Sequence, residues 1–154
     1  KEGFHASLIT TQLQGEARQA GAWLADLAGQ THLLGSPVQR PACLIAGGET
    51  TVVLRGNGMG GRNQEVALGA VKGLAGLPNA LLVTLGTDGE DGPTDAAGAA
   101  VSGQTAARAA ALGLAPTAFL EDNDAYHFFL PLGDLLITGP TGTNVNDLAF
   151  LFLF

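Results

Sequence analysis

Apolar positions along the chain fall into two patterns: short β-rich runs, and longer stretches at helical spacing. Phe4 to Gln12 is rich in β-formers and predicts a strand. From Gly15 to Ala28, the residues Ala17, Ala20, Leu24, Leu27 and Ala28 recur near the helical period, with Trp23 bordering the stripe, so a helix is expected. A loop with two prolines follows, from Gly29 to Pro41. Ala42 to Ala46 predicts a short apolar strand, Gly47–Gly48 a turn, and Thr50 to Arg55 a second, β-branched strand. Beyond a glycine loop, Arg62 to Leu74 sets Val66, Ala67, Ala70, Val71 and Leu74 on one helical face, and Pro78–Asn79 ends that helix. Ala80 to Leu85 is continuously apolar, as a central strand buried on both faces would be. Gln104 to Leu112 predicts an alanine-rich helix and Pro116 to Glu121 a helical turn. Asn123 or Asp124 can cap a helix through Leu130. Asp134 to Ile137 and the run from Leu148 predict two more strands.

Strands and helices alternate, and several connections are too short for anything but a hairpin. This order predicts one α/β domain over residues 1–154, layered α/β/α around a mixed β-sheet. A length of 154 residues suits one domain. Both ends read as cut, at Lys1 and inside the apolar run 148–154, so an excised domain with a larger N-terminal part missing is expected.

Composition narrows the classes. Hydrophobic residues make up 46% and charged residues only 14%, which excludes a disordered chain. The net charge of −7 excludes a nucleic-acid partner, which would need a basic face. From Asp88 onward there are nine acids and one base, Arg108; a solvated acidic face accounts for this as well as a divalent cation site does. The lone Cys43 sits in an apolar run, so no disulfide forms within the chain, and a reducing, cytoplasmic setting is expected. No apolar run is long enough to span a membrane.

The 23 glycines gather in loops, three of which combine glycine with small polar residues after a predicted strand. In open α/β sheets, ligands bind beyond the carboxyl ends of strands. The first loop, Gly56 to Gly61, has a GxGxxG spacing between a strand and a helix, suited to phosphate binding by backbone N–H groups. A structural turn explains the spacing equally well. No acid lies between Glu65 and Asp88, which weakens a dinucleotide reading. Arg62 follows in the first turn of the helix, where a cation opposes the helix dipole unless an anion is present. It is a natural clamp for phosphate or carboxylate; pairing with a nearby acid such as Glu65 is the alternative. The second loop, Thr87 to Asp95, is dense enough in carboxylates to bind Mg²⁺ through Asp88, Asp91 or Asp95, although aspartate is also a common turn residue. The third loop, Gly139 to Asp147, offers hydroxyls, amides and N–H groups for an anion, but no lysine. His5, His32 and His127 show no zinc spacing.

Several runs together resemble the MOFRL domain, the C-terminal half of class II glycerate 2-kinases. They are Gly47-Gly48-Glu49-Thr50-Thr51-Val52, Gly60-Gly61-Arg62-Asn63-Gln64-Glu65, Gly86-Thr87-Asp88-Gly89, 91–98 and 138–147. Gly15-Glu16-Ala17-Arg18, Asn123-Asp124 and His127-Phe128-Phe129 are also similar to the family, and the likeness covers nearly the whole chain. Proteins of this family are also labelled hydroxypyruvate reductases. The resemblance implies transfer of phosphate from ATP, with Mg²⁺, to the 2-hydroxyl of D-glycerate, in a cleft shared with the protein's own N-terminal Rossmann-like domain. It implies a catalytic or substrate-binding role for Arg62; the carboxylate density of the second loop adds Asp88 and Asp91 as catalytic candidates and Asp88, Asp91 or Asp95 as metal ligands. Glu49, Thr50, Gly58, Gly60, Gly61, Asn63, Thr87, Thr141, Gly142, Thr143 and Asn144 are the positions expected to meet substrate or phosphate. One departure from the family pattern is Glu90, where the resemblance implies a hydrophobic residue. An NAD(P)H-dependent hydroxypyruvate reductase and a non-catalytic binding or interaction module are the competing readings. The isolated domain is expected to be inactive, and assembly as a homodimer stays open.

Overall fold

The computed structural model describes residues 3–154. Six strands form one mixed sheet: β1 (His5–Leu13), β2 (Ala42–Gly48), β3 (Ala80–Gly86), β4 (Gly98–Ser102), β5 (Leu135–Leu136) and β6 (Asp147–Leu153). Five helices join them: α1 (Ala17–Leu34), α2 (Arg62–Leu74), α3 (Thr105–Ala111), α4 (Pro116–Glu121) and α5 (Ala125–Phe129). The strand order is β1-β2-β6-β3-β4-β5. β1 is parallel to β2, while β6 is antiparallel to both β2 and β3, and β4 to both β3 and β5. Hence β1, β2, β3 and β5 run the same way, and their carboxyl ends share one edge of the sheet.

The α/β class and the mixed sheet agree with expectation. Leu44, Leu82, Val101, Leu151 and Leu153 are buried on one face of the sheet, in a single core with residues of α1 and α2. On the other face Ile45, Leu81, Val83, Phe150 and Phe152 are half-buried. β3 is therefore one-sided, and its continuous apolar run hides an alternation that the sequence pattern does not reveal.

α1 and α2 pack unusually close. A Cβ on Gly21 would lie 2.0 Å from the carbonyl oxygen of Val66, and one on Gly69 would lie 2.4 Å from that of Arg18. Glycine weakens a helix interior, yet here it lets two backbones touch and seats Arg18 of α1 beside the first turn of α2.

Other expectations need correction. Thr50 to Arg55 is no strand: β2 is already paired on both sides by β1 and β6, and the segment keeps one bridge, Thr51 to Glu16. Gly47 and Gly48 extend β2 and make no turn there. β4 was hidden inside small residues, Gly-Ala-Ala-Val-Ser, that carry little strand propensity. α1 also runs past Gly29 to Leu34 and stops at Gly35, whose φ of 64° suits a left-handed cap.

Candidate active site

The three glycine-bearing loops leave the carboxyl ends of β2, β3 and β5. At that edge Gly48 and Gly86 both register against Asp147, the first residue of β6. Asp147 thus lies at the meeting point of all three loops, with its side chain only 9% exposed.

Arg62 opens α2 and reaches across this edge. Its Nε donates to Asp147 Oδ2 at 2.6 Å and its Nη2 to Asp147 Oδ1 at 3.0 Å, a bidentate pair. Nη1 lies 3.4 Å from Glu49 Oε1. The hydrogen bond to Asp147 is the main reason that the guanidinium is held even more firmly protonated than usual. The partner is therefore Asp147, with Glu49, and not Glu65. Glu65 instead accepts from Arg18 Nε at 3.2 Å and from Asn123 Nδ2 at 3.0 Å.

Most of the first loop is bound from within. Asn123 Oδ1 accepts from the N–H groups of Arg55 and Gly56, at 2.6 and 3.0 Å. Asn57 N–H donates to Asp122 Oδ1, Gly58 N–H to the Asp122 carbonyl, and Met59 N–H to Asp124 Oδ1. Gly58 is needed here because a Cβ would fall 2.3 Å from the Cβ of Asp124. The GxGxxG spacing is thus a docking site for the turn 122–124. Only the N–H groups of Gly60, Gly61 and Arg62 have no partner among the described residues. They lie at the N-terminus of α2, whose cap residue Gly61 offers no side chain.

The second loop supplies a cap from outside the helix. Asp91 is buried, and its carboxylate accepts four hydrogen bonds: from the N–H and Nδ2 of Asn63, and from the N–H and Nε2 of Gln64. Burial pushes its carboxyl up from the ordinary range, against the opposing pull of those donors. Asp95 accepts from the Tyr126 hydroxyl at 2.9 Å. Asp88 accepts from Glu90 N–H and from Asn144 Nδ2. Among the described residues, no three acids, histidines or cysteines gather closely enough to hold a metal ion.

The third loop is stitched to the second. Thr141 N–H donates to the Asp88 carbonyl, Val145 N–H to Thr87 Oγ1, and Thr87 N–H to the Asn146 carbonyl. The N–H groups of Gly142 and Asn144 have no partner among the described residues, and Thr143 N–H turns back to Thr141 Oγ1.

A cavity of about 690 Å³ opens beside Arg62. Of the expected residues it brings together Glu49, Thr50, Gly58, Gly60, Gly61 and Arg62, with Gly92 and Pro93 of the second loop. Thr87, Asp88, Thr141, Gly142, Thr143 and Asn144 form a separate group outside its lining, joined to it through Asp147. Asn63 faces Asp91 under the helix. Residue-by-residue reading missed Asp147 as the partner of Arg62, and it missed Glu65 and Asn123 as cavity-lining residues. The strand β6, beginning where a polar loop ends, was the available signal for Asp147.

A match to the MOFRL family spans residues 42–147. The chain belongs to the MOFRL family. This MOFRL domain is 51% identical to D-glycerate 2-kinase of Thermotoga maritima over 96% of the chain and 36% of that relative. It is 44% identical to glycerate 2-kinase of Pyrococcus horikoshii, over 96% of the chain and 33% of the relative. The crystal structure of a glycerate kinase from Thermotoga maritima superposes with a TM-score of 0.98 at 50% identity, covering 99% of the chain and 37% of that protein. The MOFRL domain therefore spans about a third of the length of the relatives it matches. Its sheet and helices superpose on those of that glycerate kinase, and none of its described helices is long and apolar enough to cross a membrane.

Proposed function

We propose that this chain forms the C-terminal half of a glycerate 2-kinase and supplies one wall of a site completed by an N-terminal Rossmann-like domain. The reaction is transfer of a phosphoryl group to the 2-hydroxyl of D-glycerate. The observation that carries the reading is Arg62, set at the N-terminus of α2 and facing a cavity with three unpartnered N–H groups beside it. A cation, a helix dipole and free donors at one point suit an anionic ligand.

Phosphoryl transfer asks a protein for positioning and charge neutralisation more than for covalent help. Arg62 and the N–H groups of Gly60 and Gly61 would hold the carboxylate end of the acceptor. Asp147 keeps the guanidinium turned toward that end. The free N–H groups of Gly142 and Asn144 would take phosphate oxygens. When bound, ATP supplies the phosphoryl group and Mg²⁺ draws charge from its oxygens. This chain does not fit a cage for that ion: Asp91 is saturated as a helix cap, and Asp95 is tied to Tyr126. Asp88 is the second-loop aspartate left to take the hydroxyl proton or to lend one carboxylate to a magnesium held mainly by phosphates and water.

The test is Arg62→Ala in the full-length protein. ATP-dependent phosphorylation of D-glycerate should fall by about a hundredfold or more. An unchanged rate overturns the reading. A dinucleotide held by this chain would meet the loop 56–61, where most N–H groups are already taken by residues 122–124; nicotinamide absorbance with hydroxypyruvate as substrate should show no turnover by the full-length protein. Buried Cys43, its thiol pushed up by desolvation, suits an inert role in a reducing cytoplasm.

A further inference from the structure

Glu65 has no task in the reaction as described, yet it occupies the wall of the same cavity. The residue is 2% exposed. Arg18 Nε meets one carboxylate oxygen at 3.2 Å and Asn123 Nδ2 meets the other at 3.0 Å. One bond to each oxygen leaves acceptor capacity on both. Arg18 is shared: it also pairs with Glu16 Oε1 at 3.1 Å and donates to the Leu120 carbonyl at 2.7 Å. A carboxylate serving only to tie helices together needs no opening, but Glu65 and Asn123 both line the cavity that holds Arg62.

Spacing adds direction. Arg62 and Glu65 are three residues apart on α2, so they share a helical face with Cβ atoms about 5–6 Å apart. A small hydroxy acid laid along that turn would meet a cation at one end and an acceptor-only group at the other.

We propose that Glu65, held by Arg18 and Asn123, accepts a hydrogen bond from the acceptor hydroxyl that is not phosphorylated. The cavity thereby selects polyhydroxy carboxylates over their deoxy counterparts. This rests on the phosphoryl-transfer reading and adds to it a specificity determinant. Replacing that hydroxyl with hydrogen, so that a methyl group stands where the hydroxymethyl was, would leave the Glu65 oxygen desolvated and unpaired, the situation in which hydroxyl-reading sites discriminate strongly.

The experiment compares D-glycerate with D-lactate, its 3-deoxy analogue, as phosphoryl acceptors for the full-length protein. Wild type should favour D-glycerate in kcat/KM by about a hundredfold or more. Glu65→Gln, checked by thermal melting, should narrow the ratio to below about tenfold, chiefly by losing activity on D-glycerate. If Glu65→Gln does not fold, Glu65→Asp retracts the carboxylate while keeping its charge, and it should narrow the ratio too. Equal use of the two acids by wild type, or a folded variant with an undiminished ratio, overturns the assignment of Glu65 alone. Wild type that phosphorylates neither acid overturns the kinase reading, and this inference with it.

Discussion

Asp147 grips Arg62 edge-on, through Nε at 2.6 Å and Nη2 at 3.0 Å. The pair joins the first residue of a strand to the first residue of a helix, where all three loops meet. Asp147→Asn keeps the shape but weakens the grip. Because small misplacements of a positioned group have large kinetic effects, kcat/KM for D-glycerate in the full-length protein should fall by about 10–100-fold. The fold should persist, as circular dichroism would check.

Asp91 stands in for the missing cap side chain at Gly61. Asp91→Ala would strip four hydrogen bonds from Asn63 and Gln64 at once. A loss of about 1–3 kcal/mol is expected, read from denaturant unfolding.

Gly69 is the close-packing point between α1 and α2. Gly69→Ala improves helix propensity by about 1 kcal/mol. Its new Cβ would nevertheless lie 2.4 Å from the Arg18 carbonyl oxygen, which is backbone and cannot swing aside. The net change should be destabilising by about 1–3 kcal/mol, visible as a lower Tm. An unchanged or higher Tm would contradict the packing described.

Asn123→Ala should release the first loop. The side chain accepts from Arg55 and Gly56 and donates to Glu65 and the Val53 carbonyl. Amide hydrogen exchange at Arg55 and Gly56 should accelerate well ahead of exchange in β2.

The single tyrosine offers a clean titration. Tyr126 donates to Asp95 at 2.9 Å, and that bond is the main cause raising its phenol above the ordinary tyrosine value. The folded chain thus keeps a proton that the unfolded chain gives up. The associated stability is complete below the ordinary tyrosine pKa and is lost as pH rises through the folded one. Asp95→Asn should move the ultraviolet phenolate transition to lower pH.

Much of the architecture was legible because period and punctuation agreed. Arg62 to Leu74 was readable to the residue, since its apolar stripe begins after a glycine run and is soon followed by Pro78. The edge where the loops gather followed from strands alternating with glycine-rich stretches. What stayed hidden depended on partners distant in the chain. Thr50 to Arg55 has strand propensity, yet β2, which leads into it, is already flanked by β1 and β6, and the N–H groups at Arg55 and Gly56 go to the Asn123 side chain. Gly98 to Ser102 has little propensity, yet it lies between β3 and β5. Asp91 looked like a metal ligand because a local count of carboxylates cannot show that helix α2 sits on top of it. The GxGxxG spacing was ambiguous for the same reason: the donors of Asn57 and Met59 are claimed by residues 65 positions away, while those of Gly60 and Gly61 stay open.

The docking of turn 122–124 onto the first loop bears on the thermodynamics of ligand capture. A glycine-rich loop with free N–H groups would be an ensemble, and a ligand would have to order it before gaining from it. Here the disordering freedom of residues 55–59 is removed during folding, and only the donors at 60–62 are left open. Ligand entry would meet a surface already rigid on that side, so the entropic penalty of binding falls mainly on whatever approaches from across the cleft.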